Sequence, residues 1–105
     1  MEFATHILRA GGQIRYVATF TYEMAGPALV IGENHRPIAI GLHRDCRYQR
    51  LFGDVLARFD YEGVACIDYK STDGVLQIFE INPRFGASLA LDVTTYVDAY
   101  VSALR

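Results

Sequence analysis

The sequence predicts an α+β fold, in which an antiparallel sheet carries two helices packed on one of its faces. Two pairs of strand-like segments are each joined by a short turn that contains glycine. After each pair comes a segment in which apolar residues recur at the spacing of a helix. The resulting order of strand, strand, helix, strand, strand, helix is typical of a sheet of hairpins covered by a helical layer.

The first pair of predicted strands lies at the amino-terminal end. Residues 2–9 alternate weakly between polar and apolar side chains, and residues 14–22 are rich in aromatic and β-branched side chains. Two glycines between these segments predict a turn. Residues 23–45 form a loose region punctuated by Gly and Pro, within which residues 28–31 are either a short strand or the end of a loop.

The rest of the chain contains both predicted helices and the second pair of strands. Residues 44–59 predict the first helix, and residues 63–71 and 75–82 predict two strands. Ser88 is a suitable N-cap for the second helix. The apolar stripe of the first helix consists of Leu51, Phe52, Val55, Leu56 and Phe59. The apolar face of the second helix consists of Leu89, Val93, Tyr96, Val97, Tyr100, Val101 and Leu104.

The composition narrows the class of protein. A chain of 105 residues, of which 51% are hydrophobic and 21% charged, is typical of one folded domain. Its net charge of −2 argues against a nucleic-acid partner, which usually requires a basic patch. No apolar run approaches the length of a membrane helix and no signal-peptide pattern is present, so we expect no membrane partner and a cytoplasmic location. Cys46 and Cys66 match no metal-binding spacing and are interpreted as buried free thiols.

Polar groups that could hold a cation are concentrated at the end of the second predicted hairpin. Glu80 and Asn82 are two residues apart on a strand, so both side chains point to the same face. On an otherwise apolar strand such groups are costly unless they are paired or bind a cation. Oxygen ligands of this kind suit Mg²⁺, which proteins usually hold with one or two carboxylates and substrate phosphates. Arg84 follows, and its fork of N–H donors suits phosphate or carboxylate oxygens.

Asp68, on the preceding predicted strand, joins this group only if the turn of the hairpin has a suitable length. A two-residue turn of residues 72–73 would place Asp68 on the face opposite Glu80. A three-residue turn of residues 72–74 would make the two carboxylates diagonal neighbours, roughly 7–8 Å apart at their Cα atoms. Gly74 favours the three-residue turn, because the last position of such a turn is usually left-handed. A simpler interpretation of the whole segment is an acidic hairpin with solvated charges, in which Arg84 forms a surface salt bridge.

Residues 63–91 resemble the C-terminal part of the ATP-grasp fold. The resemblance rests on a glycine, an acidic residue on one strand, and the string Glu-Ile-Asn-Pro-Arg-Phe-Gly-Ala-Ser over residues 80–88. A looser resemblance covers residues 2–22, which look like the strand that follows the adenine hinge in these enzymes. Within the family, the chain is most similar to carboxylate–amine ligases of the kind represented by carbamoyl-phosphate synthase and biotin carboxylase.

The resemblance implies an ATP-dependent carboxylate ligase and roles for four residues. Asp68, Glu80 and Asn82 match positions that bind the two Mg²⁺ ions of ATP, with Glu80 bridging the ions and with Mn²⁺ as an alternative metal. Asn82 and Arg84 match positions that contact the nucleotide, and Arg84 matches the catalytic position that stabilises the transferred phosphate or acyl phosphate. ATP-grasp enzymes mostly activate a carboxylate substrate as an acyl phosphate, which an amine or other nucleophile then displaces.

The same resemblance implies that residues 1–105 are a partial ATP-grasp domain. The phosphate-binding lysines, glycine-rich lid and adenine hinge of the family have no matching motif in these residues. We therefore expect the isolated chain to be inactive and to bind Mg²⁺ weakly without phosphates. Two alternatives are a non-enzymatic fragment, which acts as a homodimer or complements a separate N-terminal chain, and a simple acidic metal-binding domain.

Three other polar residues have less specific interpretations. His6, on the first predicted strand, is interpreted as a structural histidine with satisfied hydrogen bonds. Either Arg36 or Arg44 is a candidate for a second basic residue near the phosphates.

Overall fold

An antiparallel sheet of five strands forms the centre of the described part of the chain. The computed structural model describes residues 2–23 and 39–105. The elements in chain order are β1 Glu2–Ala10, β2 Gln13–Glu23, β3 Ala39–His43, α1 Gln49–Arg58, β4 Gly63–Thr72, β5 Val75–Asn82, a 3₁₀ helix Ala87–Asp92 and α2 Val93–Ala103. The strands lie in the order β3-β2-β1-β4-β5, and every neighbouring pair is antiparallel. The predicted α+β class is confirmed. No described helix is long and apolar enough to cross a membrane.

β1 lies in the middle of the sheet and is buried on both faces. Its consecutive residues from Ala4 to Leu8 are all buried, whereas a strand with one solvated face would alternate between buried and exposed residues. Thr5 and His6 are among the fully buried side chains. Burial on both faces explains why the sequence of this strand alternates only weakly.

The two helices pack against opposite faces of the sheet, so the prediction that both lie on one face is wrong. Phe52 of α1 belongs to a buried cluster that includes Ile7 of β1. Tyr96 of α2 belongs to a second buried cluster that includes Leu8 of β1. Because Ile7 and Leu8 are consecutive in a strand, they point to opposite faces. An apolar helical stripe predicts that a helix is packed on a sheet, but it does not indicate on which face.

Several boundaries differ from those predicted. β3 lies inside the region expected to be loose, and residues 28–31 fall outside the described residues. α1 begins at Gln49 rather than at residue 44. Ser88 is not an N-cap, because it lies within the 3₁₀ helix and makes no capping hydrogen bond. The exposed residues of the predicted apolar face of the second helix are Val93, Val97, Tyr100, Val101 and Leu104.

The β4–β5 hairpin has a two-residue turn, so the prediction of a three-residue turn is wrong. Asp73 and Gly74 form the turn with φ angles of 51° and 79°, and Thr72 pairs with Val75 on either side of it. Two successive left-handed residues define a type I′ turn, for which Asp-Gly is a preferred sequence. Gly74 has the predicted left-handed conformation, but the turn contains one residue fewer than predicted.

A β-bulge at Phe79 then changes the register of the hairpin. Tyr69 pairs with Ile78, and the next pair is Asp68 with Glu80, so Phe79 is the extra residue on β5. Without the bulge Asp68 would pair with Phe79, and Glu80 would point to the other face of the sheet. Asp68 and Glu80 therefore share one face, as predicted, through a shorter turn and a bulge instead of a longer turn. They are directly opposite each other, however, and not the diagonal neighbours that the longer turn would have made them.

Replacing Gly74 with alanine is expected to lower the free energy of unfolding by about 1 kcal/mol, because an L-residue is strained in the left-handed region. Among the described residues, no atom lies within 4 Å of the position that the new methyl group would occupy. The cost is therefore conformational rather than steric. Urea denaturation of the wild type, Gly74→Ala and Gly74→Asn measures it. Asparagine tolerates this conformation, so equal losses in both variants would contradict the assigned turn.

Candidate functional site

One cleft, with a volume of about 490 Å³, is lined by all four residues that the sequence singles out. Asp68 comes from β4, Glu80 and Asn82 come from the end of β5, and Arg84 comes from the segment that follows. β5 ends at Asn82, since Pro83 has no N–H group with which to extend the ladder. The cleft lies on the face of the sheet against which α2 packs.

Asp68 and Glu80 form a pair of carboxylates directly opposite each other on β4 and β5. The side chain of Asp68 is half-buried and that of Glu80 is exposed. Burial raises the pKa of Asp68, and the charges of Glu80 and Glu2 raise it further. A divalent cation between the two carboxylates would relieve this repulsion and favour their charged forms.

Asn82 adds an amide oxygen to the two carboxylates. Its Nδ2 donates a hydrogen bond of 3.0 Å to Oε1 of Glu80, which leaves the side-chain oxygen Oδ1 of Asn82 as a further ligand. Within residues 2–23 and 39–105, no group of three or more His, Cys, Asp or Glu side chains is arranged to hold a metal ion. Because Mg²⁺ prefers six oxygen ligands, an ion at this site would take the others from phosphate and water. The donor set therefore fits a metal–nucleotide complex better than a free-standing metal site.

Arg84 is exposed at the cleft. Its Nη1 donates to the carbonyl oxygen of Phe85 at 2.6 Å, and its backbone N–H donates to the carbonyl oxygen of Asn82 at 2.8 Å. Burial raises the pKa of the Cys66 thiol to about 12 and the charge of Asp68 raises it further, whereas the charge of Arg84 lowers it. Arg84 forms no salt bridge among the described residues, so the interpretation of Arg84 as the partner in a surface salt bridge is not supported. Its remaining N–H groups are available to an anion.

Several further residues line the same cleft, although the sequence did not predict them as residues of the site. Among them are Glu2, Tyr22, Cys66, Phe79 and Ser88. Cys66 could have been found, because it is two residues from Asp68 on one strand and therefore shares its face. Phe79 could not, since its orientation depends on the bulge. Glu2 and Tyr22 reach the cleft through the pairing of β1 with β4 and β2, which periodicity within one strand does not predict.

His6 lies behind the cleft and is fully buried. Its Nε2 is 2.7 Å from Oγ of Ser88. Burial lowers the pKa of His6 to about 4, although the charge of Asp92 opposes this effect, so the ring is neutral at pH 7. Nδ1 has no hydrogen-bond partner among the described residues, so the expectation of a fully satisfied structural histidine is met only at Nε2.

Gly86 brings the segment after β5 into close contact with the sheet. A Cβ atom at this position would lie 2.5 Å from Sγ of Cys66 and 2.7 Å from Cε1 of His6. Only glycine fits there without displacing its neighbours. This close approach places Ser88 within hydrogen-bonding distance of His6 and forms one wall of the cleft.

Arg44, considered above as a second basic residue for the phosphates, is held by a carboxylate instead. Both of its terminal nitrogens donate to Asp92, with Nη2 at 2.7 Å from Oδ1. The hydroxyl group of Tyr16 donates to Oδ2 of Asp92 at 2.5 Å. The hydrogen bonds from Arg44 and Tyr16 lower the pKa of Asp92, although burial opposes them. Arg44 therefore connects β3 to the start of α2, and Arg36 lies outside the described residues.

Comparison with solved structures assigns the chain an ATP-grasp-like fold. The particular protein that it resembles is D-alanine–D-alanine ligase from Bacillus anthracis, with a TM-score of 0.54 and 14% sequence identity. The match covers 99% of this chain and 39% of the ligase chain. A structure of the same ligase complexed with ATP gives a TM-score of 0.47 at 12% identity, over 85% of this chain and 30% of the ligase chain. Only the first match supports the fold, and neither identity is high enough to show a function.

The sequence itself matches no protein-family model and no curated protein.

Proposed function

We propose that this chain is the ATP- and Mg²⁺-binding part of an ATP-dependent carboxylate ligase that forms an acyl-phosphate intermediate. The observation that carries the proposal is the pair of Asp68 and Glu80, directly opposite each other in a cleft that also contains Asn82 and Arg84. The ATP-grasp-like fold supports it, because the solved structure that the chain resembles is that of a ligase.

In this proposal each of the four residues has a role that follows from its chemistry. Asp68, Glu80 and Asn82 hold Mg²⁺, or Mn²⁺, through their oxygen atoms. Glu80 is paired with Asp68 and hydrogen-bonded to Asn82, and by the resemblance to ATP-grasp enzymes it would bridge two ions. Bound metal ions would neutralise charge on the phosphate oxygens. Arg84 contacts the nucleotide together with Asn82 and stabilises the charge that develops on the transferred phosphate.

The remaining parts of the active site are proposed to come from another segment or chain. The match covers 39% of the ligase chain, so residues 1–105 correspond to part of such an enzyme. Phosphate-binding lysines and the groups that hold adenine and the carboxylate substrate would complete the site. Accordingly, we propose that the isolated chain has no ligase activity and binds ATP weakly.

A second candidate function is that of a non-enzymatic module, which pairs with itself or with a separate N-terminal chain. The observation that favours it is the edge of the sheet. β5 is the outermost strand on its side among the described residues, and its exposed apolar residues are Val75, Ile78, Phe79 and Ile81. Such an edge offers both backbone groups and apolar side chains to another strand. A stable dimer in sedimentation velocity, combined with no binding of Mg·ATP, would favour this function over the ligase.

Glu80→Gln is expected to weaken the binding of Mg·ATP at least tenfold, because it removes a charged ligand of the metal and retains the size of the side chain. An NMR titration of the ¹⁵N-labelled chain measures even weak binding. Asp54→Asn is the matched control, since Asp54 is an exposed carboxylate on α1, which packs on the opposite face of the sheet. Equal affinities of the wild type and Glu80→Gln would contradict the proposal, as would binding that persists after EDTA removes the metal.

A further inference from the structure

The hydroxyl group of Ser88 lies between the cleft and the buried imidazole of His6. Ser88 lines the cleft that contains Asp68 and Glu80, and its Oγ is 2.7 Å from Nε2 of His6. The proposed binding of metal uses neither Ser88 nor His6. A hydroxyl group donates one hydrogen bond and accepts two, so what Ser88 offers to a ligand depends on whether it donates to His6 or accepts from it.

His6 is the expected donor in this contact. A neutral imidazole carries one N–H group and one bare nitrogen. Nδ1 of His6 is buried and has no hydrogen-bond partner among the described residues. A buried N–H group without a partner costs more free energy than a bare acceptor, so the proton belongs on Nε2, where Ser88 can accept it.

Tyr22 is a second neighbour of the Ser88 side chain. Burial raises the pKa of Tyr22, and its contact with the Ser88 side chain opposes that effect. Tyr22 also lines the cleft. A Ser88 hydroxyl that accepts from His6 keeps its own hydrogen for Tyr22 or for a ligand.

We propose that His6 is a positioning residue, whose Nε2–H group holds Ser88 as a hydrogen-bond donor to a phosphate oxygen of a nucleotide bound in the cleft. This inference rests on the proposed function. The carboxylates of Asp68 and Glu80 repel an anion unless a metal ion lies between, so an anionic oxygen in the cleft gains from every neutral donor that faces it. If the proton were on Nδ1, Ser88 would donate to His6 and would present only lone pairs to that oxygen.

The tautomer of His6 can be measured without a nucleotide. A long-range ¹H–¹⁵N correlation spectrum of the imidazole distinguishes the protonated nitrogen from the bare one. At pH 7 the expected spectrum shows the proton on Nε2 of His6, and it is assigned by the loss of these signals in His6→Gln. A proton on Nδ1 would overturn the inference even if Mg·ATP binds as proposed.

Titration of Mg·ATP into matched variants tests the contact with phosphate. Ser88→Ala is expected to weaken binding about tenfold, whereas Ser88→Thr, which keeps the hydroxyl group, retains the affinity. His6→Leu should weaken binding as much as Ser88→Ala, and His6→Gln should restore it, because the Gln amide supplies an N–H donor. Circular dichroism checks that each variant is folded. If His6→Leu is not folded, the comparison of Ser88→Ala with Ser88→Thr decides whether Ser88 contacts the phosphate.

Two outcomes separate a failure of this inference from a failure of the proposed function. Affinity that falls in Glu80→Gln but not in Ser88→Ala overturns the role of Ser88 and leaves the metal site intact. No binding of Mg·ATP by the wild type overturns the proposed function and, with it, the contact between Ser88 and phosphate, and the spectrum then decides only the direction of the hydrogen bond between His6 and Ser88.

Discussion

Gly86→Ala is expected to lower the free energy of unfolding by about 1–3 kcal/mol, the usual cost of overpacking a well-packed site. The added methyl carbon would lie 2.5 Å from Sγ of Cys66 and 2.7 Å from Cε1 of His6, so these groups or the backbone must move. The φ angle of Gly86 is −96°, a conformation that any residue adopts, and the cost is therefore steric. Displacing this segment would also move Ser88 away from His6 and open the wall of the cleft.

Chemical denaturation of three variants separates the steric effect from a general effect of removing a glycine. Gly53→Ala in α1 is the control, because its new methyl group would make ordinary contacts with Ile14 at 3.8 Å. Alanine is favoured over glycine within a helix, so Gly53→Ala should stabilise the protein by about 1 kcal/mol. Adding Cys66→Ala to Gly86→Ala should recover part of the loss by removing the nearest atom. Unchanged stability of Gly86→Ala would show that the two segments are not in contact.

The free energy of unfolding is expected to fall by roughly 3 kcal/mol between pH 7 and pH 4 because of His6 alone. Burial lowers the pKa of this residue from 6.5 to about 4, with the charge of Asp92 opposing the effect. At pH values between these two pKa values, the unfolded chain binds a proton at His6 and the folded chain does not. Falling pH therefore favours the unfolded state throughout this interval, and the full contribution of neutral His6 is present above it.

The measurement compares urea denaturation of the wild type and His6→Leu at several pH values from 4 to 7. Asp68, whose pKa is raised by burial, and Asp92, whose pKa is lowered by Arg44 and Tyr16, are present in both proteins. Their effects on stability therefore cancel in the difference. That difference is expected to shrink steadily as the pH falls below about 6.5. Two curves that stay parallel over the whole range would mean that His6 is not held neutral in the folded protein.

The residues of the candidate site could be predicted from the sequence, but the way in which they come together could not. The sequence indicates Asp68, Glu80 and Asn82 as candidate site residues, because a polar side chain in an apolar hairpin costs free energy unless it has a partner. Whether Asp68 shares a face with Glu80 depends on the number of residues between them that are left unpaired, and turn residues and a bulge residue contribute equally to that number. The favoured turn was one residue too long, and the bulge at Phe79 supplied the missing residue.

For the helices too, the sequence predicts which residues are apolar and form a stripe, but not the face of the sheet on which each helix lies. Phe52 and Leu56 lie on an apolar stripe of α1 that the sequence predicts, and both are buried. The face of the sheet against which α2 packs depends on the path of the chain after the β4–β5 hairpin. The sequence of neither helix indicates that path. Most of the predicted apolar face of α2 is exposed, because only Tyr96 of this helix is buried.

The sequence alone therefore determined the α+β class, all four strands in the two predicted hairpins to within one residue at each end, and the identities of the four polar residues in the cleft. These properties depend on periodicity, turn residues and the cost of burying polar groups, all of which act over a few neighbouring positions. The tertiary structure decided the faces of the helices and the contacts of His6 with Ser88 and of Arg44 with Asp92. The contact partners are 82 and 48 residues apart, so only the folded sheet brings them together.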